Sequence, residues 1–329
     1  MYKAKAWFLL FRPWSYTATL IPFMVAAGLQ GVLGLSVENC RWGHWLLGLV
    51  AGILFQATVN LLNTWGDERS GVDSVPGAIR TTPQIHNGEV SMRALLLVAL
   101  GCACAASALG VSLCFYRAPE WRLNMPLLIA GFIGLLGSTN YSTGIKFKYH
   151  GLGVPFVSFL MGPLEIFVAF SLLEPDLTRD MLTPDPAMPL ILLMAVLFTL
   201  PIASLVGVIM HGNDMRDIPS DRTAGIVTLA SWLGPRKALV YYRICHLLPY
   251  GVTGINMLLF GHVFSCGVWT YTWAWLPLMC LPLTVKTLRT AAKTYRECPE
   301  NPRWRGLERA SGGIHLVYGL LYALALHLS

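Results

Sequence analysis

HWLLGLVAGILFQATVNLLNTWGDERSGVD, His44 to Asp73, carries the two features from which the rest of the chain can be read. Its first two thirds are apolar and long enough to cross a bilayer, which takes about 20 apolar residues in a helix. Its last third turns polar and acidic. Gln56, Asn60, Asn63 and Asp67 fall at i, i+4, i+7 and i+11, which puts all four on one helical face. Amides and carboxylates in a membrane helix are costly unless they face the bundle interior or a wet cavity. The stripe therefore predicts a polar cavity open at the end where Asp67 stands. Asp73 follows in a loop that Gly71 can bend back.

A second segment repeats this logic far along the chain. In NDMRDIPSD, Asn213, Asp217 and Asp221 are spaced at i, i+4 and i+8, with Asp214 and Arg216 beside them. Mg²⁺ takes oxygen ligands in octahedral geometry, usually one or two carboxylates completed by substrate phosphate oxygens. Two facing carboxylate sets, Asp67 with Asp73 and Asp217 with Asp221, predict a site where Mg²⁺ holds a diphosphate. Arg80, Lys146, Lys148, Arg216 and Arg222 are the basic residues near enough in sequence to offset the remaining charge. Any single Asp here is explained by a solvated loop end. Two clusters, each continuous with a polar helix face, favour a site. The 12-residue ligand spacing of an EF-hand and the G-x-x-x-x-G-K phosphate loop are both absent from the sequence.

The remaining chain fits a membrane setting. It is 55% hydrophobic and 12% charged over 329 residues, against about a quarter charged in soluble domains. Apolar runs predict an all-α polytopic protein with about nine spans around a central cavity, near 14–35, 44–66, 93–116, 125–145, 152–172, 187–210, 238–259, 267–289 and 312–328. The first run is read as a retained span, because Arg12 and Pro13 interrupt its start and no small-residue cleavage site follows. Of the 24 Lys and Arg, Arg41, Arg117, Arg122 and Arg179 fall on one side and the other twenty on the opposite side. The positive-inside rule then puts the N-terminus and both acidic segments in the cytoplasm and the C-terminus outside. The net charge of +7 thus reflects membrane orientation and gives no reason to expect nucleic acid. None of the eight cysteines forms a C-x-x-C pair, and they read as small apolar side chains.

At these residues the chain resembles the UbiA superfamily of intramembrane prenyltransferases, as one domain over residues 1–329. FRPWSYTATLIPFMVA (Phe11 to Ala26) is similar to the family's opening, NLLNTWGDERSGVD (Asn60 to Asp73) to its first Asp-rich motif, and GAIRTTPQIHNGEVS (Gly77 to Ser91) to the basic loop after it. NDMRDIPSDRTAGIVTLASWLG (Asn213 to Gly234) resembles the second motif. The Gly-x-Asp ending of the first motif and YSTGIKFKYHGLGVPFVSFLMGPL (Tyr141 to Leu164) are most like 1,4-dihydroxy-2-naphthoate polyprenyltransferases of menaquinone synthesis. The chain departs from that branch at Thr64, where a second carboxylate is usual, at Val154, where a Glu is usual, and at Ile226-Val227, where a basic residue is usual.

The resemblance implies a polyprenyl diphosphate donor, an aromatic acceptor and a prokaryotic plasma membrane. It implies Mg²⁺ held by Asp67, Asp73, Asp217 and Asp221. Asn60, Asn63 and Asn213 would orient the ligands, Arg216 would bind substrate by offsetting its charge, Arg80 and Lys146 would grip the diphosphate, and Tyr141 would stand near the reacting carbon. Another acceptor on the same fold stays open (hydroxybenzoate, homogentisate, a tetrapyrrole or glycerol phosphate), as does a lipid transporter with acidic gates. Three further residues stand apart. His211 reads as a packed or capping residue. Glu165, mid-span, is expected either to be neutral and hydrogen-bonded or to face an acceptor pocket. The Trp and Tyr residues of 269–275 read as interfacial anchors.

Overall fold

Apolar runs broken by proline, glycine and polar loops fold into helices. A computed structural model describes residues 2–33, 35–36, 38, 40–70, 83–117, 121–175, 188–263 and 272–329. In chain order the main helices are α1 (Tyr2–Phe11), α2 (Thr17–Val32), α3 (Trp42–Ser70), α4 (Met92–Arg117), α5 (Trp121–Asn140), α6 (Gly153–Leu173), α7 (Met188–Thr223), α8 (Leu229–Val263), α9 (Leu281–Glu297) and α10 (Leu307–Leu328). The described residues contain no strand, only an isolated bridge between His150 and Val227. Among them, five helices are long and apolar enough to cross a membrane, over Trp42–Arg69, Met92–Phe115, Gly153–Leu173, Leu193–Thr223 and Leu307–Leu328. Large apolar side chains such as Leu97, Ile129, Leu193 and Ile244 lie exposed on the outer faces, where lipid rather than water would meet them.

Small residues let the helices approach. A Cβ on Gly28 would stand 2.3 Å from the carbonyl oxygen of Ala323, and one on Gly31 would stand 2.2 Å from that of His327. The crossing of α2 over α10 therefore depends on bare backbone at both positions, as membrane helices without a hydrophobic drive to associate commonly require. The main core fills the space among α2, α7, α8 and α10, with Ile21, Phe23, Ile202, Leu205, Tyr242 and Tyr318 all buried.

Three features go beyond the expected spans. The N-terminal segment is a separate helix, α1, which ends where Arg12 turns left-handed (φ 51°) ahead of Pro13. Helix α7 continues without a break through the second acidic segment for 36 residues, about 54 Å of rise against a hydrocarbon core of about 30 Å. Its Asp-bearing turns thus stand toward one end of the bundle. The eighth expected span is not one straight helix where it is described. A 3₁₀ stretch over Thr272–Cys280 precedes α9, and Pro277 and Pro282 interrupt the regular hydrogen bonding there.

The two ends of the bundle are tied separately. At one end the Arg41 amide donates to the Leu173 carbonyl (3.1 Å), and the Gln30 amide to Glu174 (3.0 Å). At the other end the acidic segments meet the α5–α6 loop and the start of α10.

Candidate active site

Asp67 stands near the C-terminal end of α3, 7% exposed, and faces the α5–α6 loop. The two pack closely because α3 carries Gly66 there: a Cβ at that position would lie 2.7 Å from the Ser142 carbonyl oxygen. The loop turns on Gly144 (φ 53°) and on Lys146, a non-glycine residue held left-handed at φ 58°. The Lys148 amide then donates back to the Tyr141 carbonyl at 3.0 Å. The result aims Lys148 Nζ at both carboxylate oxygens of Asp67 (2.9 and 3.1 Å) and at Asn63 Oδ1 (3.5 Å). The Tyr149 hydroxyl donates to Asp67 at 2.5 Å. Burial works against the Lys148 ammonium, but the charge of Asp67 and its hydrogen bond outweigh burial, so Lys148 is held above the ordinary lysine value and stays charged.

The end of α7 lies opposite. Asp214 and Asp221 are each 6% exposed. The Asp221 carboxylate accepts from the Thr228 hydroxyl at 2.9 Å, where the chain turns into α8. Asp214 has Asp221, Lys148, Asp217 and Arg216 as its charged neighbours. Arg216 forks onto Asp217 with two bonds of 2.7 Å and reaches Glu308, at the start of α10, at 3.5 Å. The bridge from His150 to Val227 ties the α5–α6 loop to the turn after α7. Carboxylates from two distant segments thus share one space, with Lys148 between them.

Tyr141 closes the inner side of this space. It is 3% exposed, and its hydroxyl has no hydrogen-bond partner among the described residues. It is therefore a neutral phenol with a proton to donate.

Below Tyr141 an apolar cavity of about 440 Å³ runs between the helices. Its polar end is lined by Arg12, Asn63, Tyr141 and Met210, and its walls include Phe55, Val157 and Leu160. Asp67 lies one helical turn beyond Asn63, and Asp214 one turn beyond Met210. The carboxylates therefore sit at the mouth of an oily chamber.

The expected site residues divide by placement. Asp67, Asp217, Asp221, Asn63, Tyr141 and Arg216 come to this mouth, and Asn213 stands half-buried on the same turn of α7. Asp73 and Arg80 lie outside the described residues. Asn60 lines the cavity, but its amide donates to the Phe11 carbonyl (2.8 Å) and to Ser15 (2.9 Å), so it caps the end of α1. Lys146 is exposed and lies over the Tyr149 ring (5.7 Å), whereas Lys148 makes the contact with Asp67. Spacing alone could not separate two lysines placed two apart in a loop; the left-handed turn at Lys146 decides it. Asp214, named from the sequence only as a flanking residue, joins the site; Tyr149 and Thr228 join it from within the quoted motif segments, and Glu308 joins it from the start of α10 with no sequence signal. The Arg12 guanidinium donates to Thr64 at 3.3 Å, so the residue standing where a carboxylate is usual contributes a neutral oxygen. His211 is fully buried and bonded to the Ala238 carbonyl at 3.0 Å, a packed residue as expected.

Residues 8–304 match the UbiA prenyltransferase family. The chain belongs to that family. It is 29% identical to the UbiA prenyltransferase domain-containing protein 1 of Ailuropoda melanoleuca, over 99% of this chain and 85% of that protein. It is 32% identical to the protein of the same name from Mus musculus, over 76% of this chain and 67% of that one. Its fold is similar to a UbiA homologue from Archaeoglobus fulgidus solved with GPP and Mg²⁺, with a TM-score of 0.56, 18% identity, and 98% and 99% of the two chains covered. The UbiA assignment makes this chain a prenyltransferase and an integral, multi-pass membrane protein.

Proposed function

We propose that the mouth binds an allylic polyprenyl diphosphate, that the cavity takes its hydrocarbon tail, and that the prenyl group passes to an aromatic acceptor, 1,4-dihydroxy-2-naphthoate in a menaquinone-type pathway. The observation that carries this reading is the meeting of Asp67, Asp214 and Asp221 around Lys148, with Asp217 beside them, at the head of an apolar chamber. The chamber suits a lipid and the mouth suits a charged head bound through cations.

The donor set fits Mg²⁺. Asp214 is a buried carboxylate to which no described side chain donates a hydrogen bond, and its nearest carboxylates are like-charged. Such a group takes up a proton or is held by cations, and Mg²⁺ would add to the charge of Lys148 and Arg216 beside it. Among the described residues no three acidic, histidine or cysteine side chains converge on a single point. Each ion would therefore take one or two carboxylates, from Asp67, Asp214, Asp217 and Asp221 here and from Asp73, with diphosphate oxygens completing its shell. Bound Mg²⁺ supplies positive charge against the leaving diphosphate.

The chain's own groups do the rest. Lys148 offers a fixed cation, and Arg80 is the second basic residue proposed for the diphosphate. Asn63 and Asn213 orient the head. As the C1–O bond breaks, its electron pair leaves with the diphosphate and an allylic cation remains. Donors already aimed at that developing charge lower the barrier without reorganising. Tyr141 holds an unspent proton beside the reacting carbon. The electron-rich ring attacks C1, and with a naphthoate acceptor the carboxyl departs as carbon dioxide, returning its electrons to the ring. The apolar walls keep water from the cation. Val154 favours a second reading, another acceptor on the same chemistry: it is fully buried against Gly207 and leaves no carboxylate at a position where the naphthoate branch usually has one.

The working unit is proposed as a single domain over residues 1–329, its mouth in the cytoplasm. A prokaryotic plasma membrane is proposed from the likeness to the menaquinone branch. Purified protein in nanodiscs, given Mg²⁺, allylic prenyl diphosphates of three units and longer and a panel of acceptors, should yield a decarboxylated prenyl-naphthoquinol by mass spectrometry. Product with a different acceptor alone would move the pathway, and no product with any acceptor would refute the reading.

A further inference from the structure

The cavity is not apolar throughout. Glu165 Oε2, Thr19 Oγ1 and Gln56 Oε1 are buried in its wall, and none has a hydrogen-bond partner among the described residues. They belong to one place. A Cβ on Gly52 would lie 2.9 Å from the Thr19 methyl and 3.2 Å from Glu165 Oε1, and Gln56 is one turn along α3 from Gly52. The Thr19 hydroxyl stands beside the carboxyl without closing a bond of good geometry. Helix α6 contributes Glu165 directly after a π-helical turn, Leu160–Leu164, that contains Pro163. Such turns shift the phase of the residues that follow and recur at functional sites. The chemistry at the mouth makes no use of this group.

The depth of this polar group along the cavity can be read from α3. Asn63 marks the polar end and Gly52 marks the Glu165 level, a separation of eleven residues, or about 16 Å of helical rise. Three extended backbone bonds advance at most about 3.6 Å, so the four main-chain bonds of an isoprene unit advance about 5 Å. A donor with its reacting carbon level with Asn63 therefore reaches Glu165 after about three units.

We propose that Glu165, with Thr19 and Gln56, forms a polar stop that makes the chain selective for short prenyl donors, ending at the three-unit farnesyl length. Hydrocarbon pushed past this level covers what the cavity still exposes of the half-buried Glu165 carboxyl, already backed by the sealed and unpartnered oxygens of Thr19 and Gln56, and returns no hydrogen bond. A tail that ends before it keeps to Phe55, Val157 and Leu160 and leaves the cavity side of Glu165 uncovered. The wall beyond is again apolar, with Leu113, Leu127 and Leu172. Space for a longer tail is thus present, and polarity rather than volume closes it.

The inference rests on the prenyl-donor reading of the mouth, and the test separates the two. The kcat/KM for farnesyl and for geranylgeranyl diphosphate, with one acceptor, would be measured in nanodiscs for wild type, Glu165→Leu, Glu165→Gln and Thr19→Val. Wild type should prefer the three-unit donor by at least about tenfold, and Glu165→Leu should bring the two within about threefold by accepting the longer tail. Glu165→Gln, still polar, should keep the preference. Thr19→Val, which removes a hydroxyl at nearly constant volume, should weaken it if Glu165→Leu fails to fold. Equal use of both donors by wild type would overturn the stop while leaving the donor site intact. So would an unchanged ratio in folded Glu165→Leu or, where that variant fails to fold, in Thr19→Val. Wild-type inactivity with every donor would overturn both.

Discussion

Lys148 and Lys146 differ by two positions and by their whole environment. Lys148 bridges Asp67 and Asn63 at the mouth, while Lys146 lies exposed over a tyrosine ring. Lys148→Met should lower kcat by at least about 100-fold, the size of effect seen when one aimed donor is removed from a developing negative charge. Lys146→Met should change it by less than about threefold. Steady-state kinetics on both variants checks the contrast, and equal losses would remove the assignment. The pH response of the pair has a definite sign. Because the folded value for Lys148 is raised, its stabilising contribution is fully present below the ordinary lysine value and is lost as pH rises through the raised one. Melting temperature should therefore show no step from this pair between neutrality and about pH 10.

The helices make their close approaches at single glycines. At Gly28 and Gly31 any side chain meets backbone carbonyls of α10, which cannot rotate away. Gly31→Val should cost at least about 1–3 kcal/mol and lower the melting temperature in detergent. Gly313, with open space around its Cβ position, should accept alanine without loss, because a helix interior favours alanine over glycine by about 1 kcal/mol. The long membrane helices were legible from hydropathy alone, since twenty apolar residues in a row have few other fates. Helix α1 was not. Its partners, Leu61, Leu62 and Leu95, are distant in sequence, and the amide of Asn60 that caps it reads from sequence as a substrate ligand. The same limit applied at the mouth. Spacing found Asp67, Asp217 and Asp221, because helical periodicity sets a shared face. It named Lys148 among the nearby basic residues but could not choose it over Lys146, and it could not find Tyr149 or Thr228, because these positions depend on how loops turn.

Across the whole molecule, the two acidic segments, the α5–α6 loop and the start of α10 meet at one end. The asymmetry of Lys and Arg predicts that this end is cytoplasmic. Cys298 follows α9, is exposed, and lies in a loop expected on that side. In intact cells a membrane-impermeant maleimide should leave Cys298 unmodified and should label it after permeabilisation. Labelling in intact cells would invert the orientation.

The central claim is that carboxylates from α3 and α7 act as one centre that releases diphosphate from a prenyl donor. The most direct test counts released diphosphate against prenylated product, for wild type and Asp214→Asn, in nanodiscs with Mg²⁺. Wild type should release one diphosphate per transfer. Asp214→Asn should lose both by at least about 100-fold with its melting temperature preserved. Undiminished, equal release and transfer in Asp214→Asn would contradict the account.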